Sequence, residues 1–189
     1  ELVFGRGVET EIGTRLARRF PGGKVFLVYG GGSIKRTGLY DRVKQSLLDA
    51  GLSVREKGGV HPNPEVGFIR ELIAEAREWR PDVLLAVGGG SVIDTVKAAS
   101  MGIPYDGDVW DFYEHTRQAS ACLPIGVVLT IAASGSEMSN SSVITNDETL
   151  EKRGYNNDIS RPVFAVMNPE ITMTLPPYQT ACGCTDILM

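Results

Sequence analysis

Histidine is nearly missing from this chain. The two present, His61 and His115, lie far apart without the helical His-x-x-x-His spacing that aims two imidazoles at one ion, which argues against a self-contained zinc site. Cysteine is scarce too. Cys122, Cys182 and Cys184 are an odd set with no Cys-x-x-Cys, so they read as packing thiols of a reduced compartment rather than a disulfide framework. No run approaches the roughly 18 apolar residues of a membrane helix. The opening ELVFGRGVETE also lacks the basic-then-apolar layout of a signal peptide, so no membrane contact and a cytoplasmic location are expected. Basic excess is absent as well: the net charge of -4 supplies no field to draw in nucleic acid. What remains, 42% hydrophobic and 22% charged over 189 residues, is enough for one globular domain with a real core.

Short apolar runs rich in β-branched residues alternate with stretches of helical period. KVFLVYG (24–30), LSVRE (52–56), DVLLAVG (82–88), LPIGVVLT (123–130) and PVFAVMN (162–168) read as buried strands. Between them Val8, Ile12, Leu16 and Phe20, then Leu39, Val43 and Leu47, then Val66, Ile69, Ile73 and Ala76 each form one apolar helix face. Such alternation is the signature of right-handed βαβ crossovers, hence an α/β, Rossmann-like doubly wound and mainly parallel sheet with flanking helices. Residues 131–162, rich in Ser, Asn and Gly, read as a long functional loop with a hairpin, SSVITN being a candidate edge strand. The tail PPYQTACGCTDILM opens a helix with proline in its first turn and stops without a C-cap, as if mid-element.

Two glycine runs follow strands directly. In VGGGSVIDTVKAAS the Ser91-x-x-Asp94 pair reads as a capping box, which needs one turn residue ahead of it. Three glycines are conformationally costly, so their presence points to something approaching the backbone closely, and a helix N-terminus suits a phosphate. In YGGGSIKR the next helix start carries Lys35 and Arg36, cations that disfavour a positive dipole end unless an anion sits among them. Two such loops suggest a dinucleotide with phosphates at two places, which fits NADP(H). The run is not G-x-G-x-x-G. The acid expected some 20 residues on could only be Glu56, the basis of a less favoured NAD reading, whereas Ser33 and Lys35 suit a 2′-phosphate.

Taken together, YGGGSIKRTGLYDRV, GGVHPNPEV, AVGGGSVIDTVKAAS, LTIAASGSEMSNSSVITN and NPEITMTLPPYQTACGCTD resemble the iron-containing (group III) alcohol dehydrogenases, in their butanol dehydrogenase-like branch. By that resemblance Gly89, Gly90 and Ser91, with Asp94 nearby, bind the cofactor pyrophosphate, and Gly31, Gly32 and Ser33 surround the adenosine ribose and a 2′-phosphate. Asn63 joins them from the Pro-Asn-Pro segment. Thr130, Ser134 and Ser136 map onto a family stretch lining the cofactor, where Ile131 and Ala133 depart from the commoner threonine and glycine. Lys152 and Leu175 would lie near the nicotinamide ribose.

The resemblance further implies a divalent metal, iron or zinc, held by one aspartate and three histidines; Asp186 matches the aspartate and no residue here matches the histidines. It implies residues 1–176 as a dinucleotide-binding domain and 177–189 as the start of the first helix of an all-helical, metal-binding catalytic domain. The parent would be a homodimer, with LVFGRG pairing across subunits, moving hydride between NADP(H), favoured over NAD(H), and a small primary alcohol or aldehyde. This chain alone, carrying no catalytic residue, is expected to bind nucleotide without turnover. The alternatives are a non-catalytic nucleotide-binding module and a glycerol dehydrogenase- or dehydroquinate synthase-like enzyme.

Overall fold

The computed structural model describes residues 1–188; Met189, the last residue of the expected 177–189 helix start, lies outside them. Among the described residues eight strands form two sheets: β1 (Leu2–Phe4), β2 (Lys24–Tyr29), β3 (Ser53–Lys57), β4 (Val83–Gly88), β5 (Ile125–Leu129), β6 (Ser141–Thr145), β7 (Lys152–Asn156) and β8 (Phe164–Met167). The main sheet runs β1-β8-β5-β4-β2-β3 and every neighbouring pair in it is parallel. Helices α1 (Ile12–Arg19), α2 (Ser33–Arg36), α3 (Leu39–Asp49), α4 (Val66–Trp79), α5 (Gly90–Gly102), α6 (Trp110–Tyr113), α7 (Pro169–Thr172) and α8 (Pro177–Leu188) complete the chain.

Side chains alternate across each strand, so each central strand feeds two cores. Phe26, Val28, Leu84, Ala86 and Val127 pack on Ile69, Leu72 and Ile73 of α4 and Ile93 and Val96 of α5. From the other face Val25, Leu27, Leu85, Val87 and Val128 meet Ile12 and Leu16 of α1 and Leu39, Val43 and Leu47 of α3. β4 is buried along its whole length, which is why its sequence shows no polar alternation. The fold is thus a doubly wound α/β sandwich of the Rossmann-like kind. From β2 the chain steps outward to β3, then returns to the far side of β2 to lay down β4. Their carboxyl ends therefore flank the topological switch point, the crevice where such sheets bind ligands.

Several expectations shift. The first helical stretch opens as a 3-10 turn at Val8–Glu11 before α1 begins. LVF pairs within the chain, Leu2 to Phe4 alongside Ala165 to Met167 of β8, and as β1 forms the end strand of the main sheet, which leaves the expected pairing of LVFGRG with a partner subunit as it stood. SSVITN is not an edge of the main sheet: β6 pairs antiparallel with β7 in a separate ribbon, tied on by the Glu65–Thr145 bridge and by Asp147 Oδ1, which accepts from the Gly67 N–H at 2.9 Å. The Lys35 and Arg36 cations do not stand at the start of a long helix either. α2 ends at Arg36, and Gly38, with φ 69°, restarts the chain as α3.

Gly126 of β5 faces Phe164 of β8 so closely that a Cβ would lie 2.3 Å from the ring. Gly126→Val is expected to cost about 1–3 kcal/mol by overpacking, read as a lowered urea midpoint by circular dichroism; an unchanged midpoint would mean that the ring swings aside.

Candidate nucleotide site at the strand ends

The two glycine runs lie side by side at the switch point: a Cβ on Gly30 would sit 3.6 Å from Val92 Cγ2 of α5. Their glycines are not equivalent. A Cβ on Gly88 would strike Val92 at 2.5 Å and one on Gly89 would strike Ile131 at 2.3 Å, so protein packing alone demands glycine at both. Close packing is therefore a sufficient reason for glycine at these two positions, whatever else meets their backbone. Gly90 differs, since its Cβ would meet only Ser134 Oγ at 3.5 Å, and Gly31 would meet nothing within 4 Å. Neither has a positive φ. At these two positions neither a close neighbour nor a positive φ inside the protein accounts for glycine. The start of α5, with Gly89 as its N-cap residue, has no side-chain cap, leaving the Gly90 and Ser91 end of its dipole suited to a phosphate.

The Ser91–Asp94 capping box does not form. α5 already begins at Gly90, and Asp94 turns away, Oδ1 accepting from Ser136 Oγ at 2.6 Å and Oδ2 from the Val143 N–H at 3.1 Å. A turn further on, Lys97 is fully buried; its ammonium donates to the carbonyls of Ser136 (2.7 Å) and Ser141 (2.8 Å) and to the Ser139 hydroxyl (3.0 Å). Burial pushes the Asp94 carboxyl up, opposed by those hydrogen bonds and the Lys97 charge. It pulls the Lys97 ammonium down to about 8, opposed by Asp94 and Glu137. Sequence reasoning quoted Lys97 within its motif and gave it no role. The available signal was its i,i+3 spacing from Asp94 on a helix otherwise apolar at those turns.

Ser33, Thr130 and Leu175 come together around a cavity of about 70 Å³, with Thr37, Ile171 and Thr174. Asn63, held at φ 57°, accepts from the Lys152 ammonium at 2.8 Å, forming a second group on the ribbon. Lys35 and Gly32 are exposed on the first loop. The Lys35 ammonium rests 5.0 and 4.8 Å from the rings of Tyr29 and Tyr40, and Tyr29 holds it above its ordinary range. Glu56 is occupied: it accepts from Tyr40 Oη at 2.6 Å and Lys44 Nζ at 3.1 Å. Burial resists its charge, yet those bonds hold the carboxyl below its usual range. A larger, polar cavity of about 700 Å³ lined by His115, Arg117, Tyr155 and Asn157 includes none of these loop residues.

Asp186 is exposed on α8, and among the described residues no group of three His, Cys, Asp or Glu gathers that could hold a metal. One solvated carboxylate does not suffice for a divalent ion, so these residues on their own do not fit the metal. The uncapped start of α5 beside the glycine runs, by contrast, has the backbone donors and dipole that suit a phosphate group.

Fold and site thus define a Rossmann-like α/β domain with glycine-rich turns at its switch point. Residues 1–169 match the family model described as iron-containing alcohol dehydrogenase. The chain is 48% identical over its full length to a protein of Bacillus subtilis named probable NADH-dependent butanol dehydrogenase 1, covering 48% of that relative. It is 37% identical over 98% of its length to an NADPH-dependent aldehyde reductase of Escherichia coli, covering 47% of it. The crystal structure of NADH-dependent butanol dehydrogenase A from Thermotoga maritima superposes with a TM-score of 0.95 at 41% identity, over 98% of this chain and 46% of that one. The chain belongs to the iron-containing alcohol dehydrogenase family, and spans about half the length of the curated relatives it matches.

Because the folded state lowers the Lys97 pKa from 10.5 to about 8, the unfolded chain holds the extra proton between those values and stability rises with pH across them. The stability difference between the wild-type chain and Lys97→Met, from urea titrations at pH 7.5 and 9.5, is expected to move in favour of wild type by up to about 1.4 kcal/mol per pH unit. Movement the other way would mean that the buried ammonium binds its proton more tightly than a solvated one.

Proposed function

We propose that this chain is the dinucleotide-binding part of a metal-dependent alcohol dehydrogenase or aldehyde reductase that moves hydride between a nicotinamide cofactor and a small primary alcohol or aldehyde. The carrying observation is the pair Gly31 and Gly90, at the ends of the two strands that flank the switch point, glycines that nothing inside the protein requires. In this reading Gly89, Gly90 and Ser91 take the pyrophosphate at the uncapped start of α5, where Ser134 and Ser136 wall the site. Gly31, Gly32 and Ser33 take the adenosine ribose, with Thr130 and Leu175 closing the cavity they share with Ser33. Lys152, steadied by Asn63, faces the nicotinamide ribose. Bound cofactor supplies the hydride acceptor or donor; these residues bind and orient it. Asp186 contributes one ligand to the metal, whose other ligands, like the rest of the substrate pocket, come from a helical domain that begins with α8.

Cofactor choice has two readings. NADP(H) is favoured by a first loop without an acid and by Lys35 beside it, while Glu56, the carboxylate available for a ribose diol, is already bound by Tyr40 and Lys44. NAD(H) is favoured by relatives such as the Bacillus protein, whose name carries NADH.

Calorimetric titration of the folded chain with NADPH and NADH tests both. Saturable binding with NADPH tighter supports the first reading, and Lys35→Ala should then erase the preference; NADH tighter supports the second. Absence of binding to either would sink the dinucleotide assignment for this chain. Gly31→Val, placed in open space, is expected to leave the melting temperature unchanged and weaken nucleotide binding at least tenfold; undiminished affinity would remove Gly31 from the site.

A further inference from the structure

A buried charge needs a reason, and Lys97 has one that its helix does not explain. Its four acceptor contacts, the Ser136 carbonyl and hydroxyl, the Ser139 hydroxyl and the Ser141 carbonyl, at 2.7 to 3.2 Å, all come from one short stretch of chain. That stretch, running from Thr130 to the start of β6, has no strand or helix of its own. Its own local backbone bonds are few, those of the Met138 and Ser139 N–H groups to Gly135; at its ends the Thr130 N–H donates to Gly88 and the Asn140 carbonyl accepts from the Asn157 N–H, and Arg161 donates to the Met138 carbonyl from the surface. A segment this polar buries too little apolar surface to hold its own conformation. An ammonium with three donors, carried through a dry helix face on a four-carbon stem, gathers its carbonyls and hydroxyls at one point.

The same segment touches two places that matter. Toward the nucleotide crevice, Ile131 lies over Gly89 and Ser134 Oγ over Gly90. Toward the C-terminal helix, the Ala132 carbonyl would lie 2.4 Å from a Cβ on Gly183, the one buried residue of α8. Asp94 reinforces the arrangement from the same helix through Ser136, while the charges of Glu137 and Arg161 also act on Lys97 and that of Lys152 on Asp94.

We infer that Lys97 is the positioning residue of this serine segment: its ammonium fixes residues 136–141, and so sets Ser134 over the start of α5 and Ala132 against α8. The part that concerns nucleotide rests on the dinucleotide reading above; the part that concerns the segment does not.

The test is hydrogen exchange on the full chain together with dinucleotide titration, for wild type, Lys97→Met, Ser139→Ala, and Leu47→Ala as a control that loosens the opposite core. In Lys97→Met, amides 132–141 and those around Gly183 should exchange at least tenfold faster while β4 and β5 keep their protection. Affinity for the better-binding dinucleotide should fall at least tenfold, whereas Leu47→Ala, at a similar loss of urea midpoint, should leave it within twofold. Equal loosening of sheet and segment, or an affinity loss matched by Leu47→Ala, would reduce Lys97 to a general stabiliser and overturn the inference. If Lys97→Met does not fold, Ser139→Ala decides: faster exchange confined to the segment supports the inference, and unchanged exchange there refutes it. If the wild-type chain binds no dinucleotide, the proposed function fails, and exchange alone judges Lys97.

Discussion

A parallel sheet sends every strand toward the same edge, and in this protein that directional constraint organises everything else. Each crossover must climb back along a helix, so each strand end is followed by a turn and a helix start with unpaired N–H groups. Where the winding reverses, between β2 and β4, two of those turns face each other across a gap that no crossover covers. The result is a crevice whose floor is the buried core and whose rim is backbone. Its rim presents backbone donors and the α5 dipole without a basic side chain, because both are fixed by the fold.

The wall of that crevice is built differently. Helices and strands here stand on apolar packing, whereas the serine-rich stretch after β5 stands on hydrogen bonds to two charged residues of α5. Asp94 and Lys97 each bear a desolvation cost, which each offsets in part for the other, with Ser136 bonded to both between them. Removing either partner would leave a buried charge unmatched, which costs more than never having had the pair. An apolar loop could line a cleft, but it would offer a phosphate no hydroxyl; a polar loop needs an internal anchor, and the fold supplies one.

Much of the fold was legible because buried parallel strands leave an unmistakable record. VLLAVG and IGVVL are continuous apolar runs, and the i, i+4 faces of α1, α3 and α4 fall where the period put them. β1 was not legible as a strand of this sheet: three residues carry too little pattern, and its pairing with β8 joins positions more than 160 apart. The short α6, whose Trp110 and Tyr113 rings stack at 5.9 Å, was equally hidden, since one turn has no period to detect. The capping box failed for a related reason. Ser91 and Asp94 have the right spacing for a local bond, yet Asp94 found partners 42 and 49 residues away, and no local rule weighs such offers.

The sequence by itself determined the doubly wound layering, the two glycine turns and the order of the family's motifs, because these depend on hydrophobic period and backbone freedom, both written locally. Only the tertiary structure decided which glycines are close-packed and which face open space, that Glu56 is engaged by Tyr40 and Lys44, and that Lys97 reaches into the serine segment. Those are questions of who stands next to whom after the chain has crossed over itself. Contact distance and burial answer them, and neither exists until the sheet is assembled.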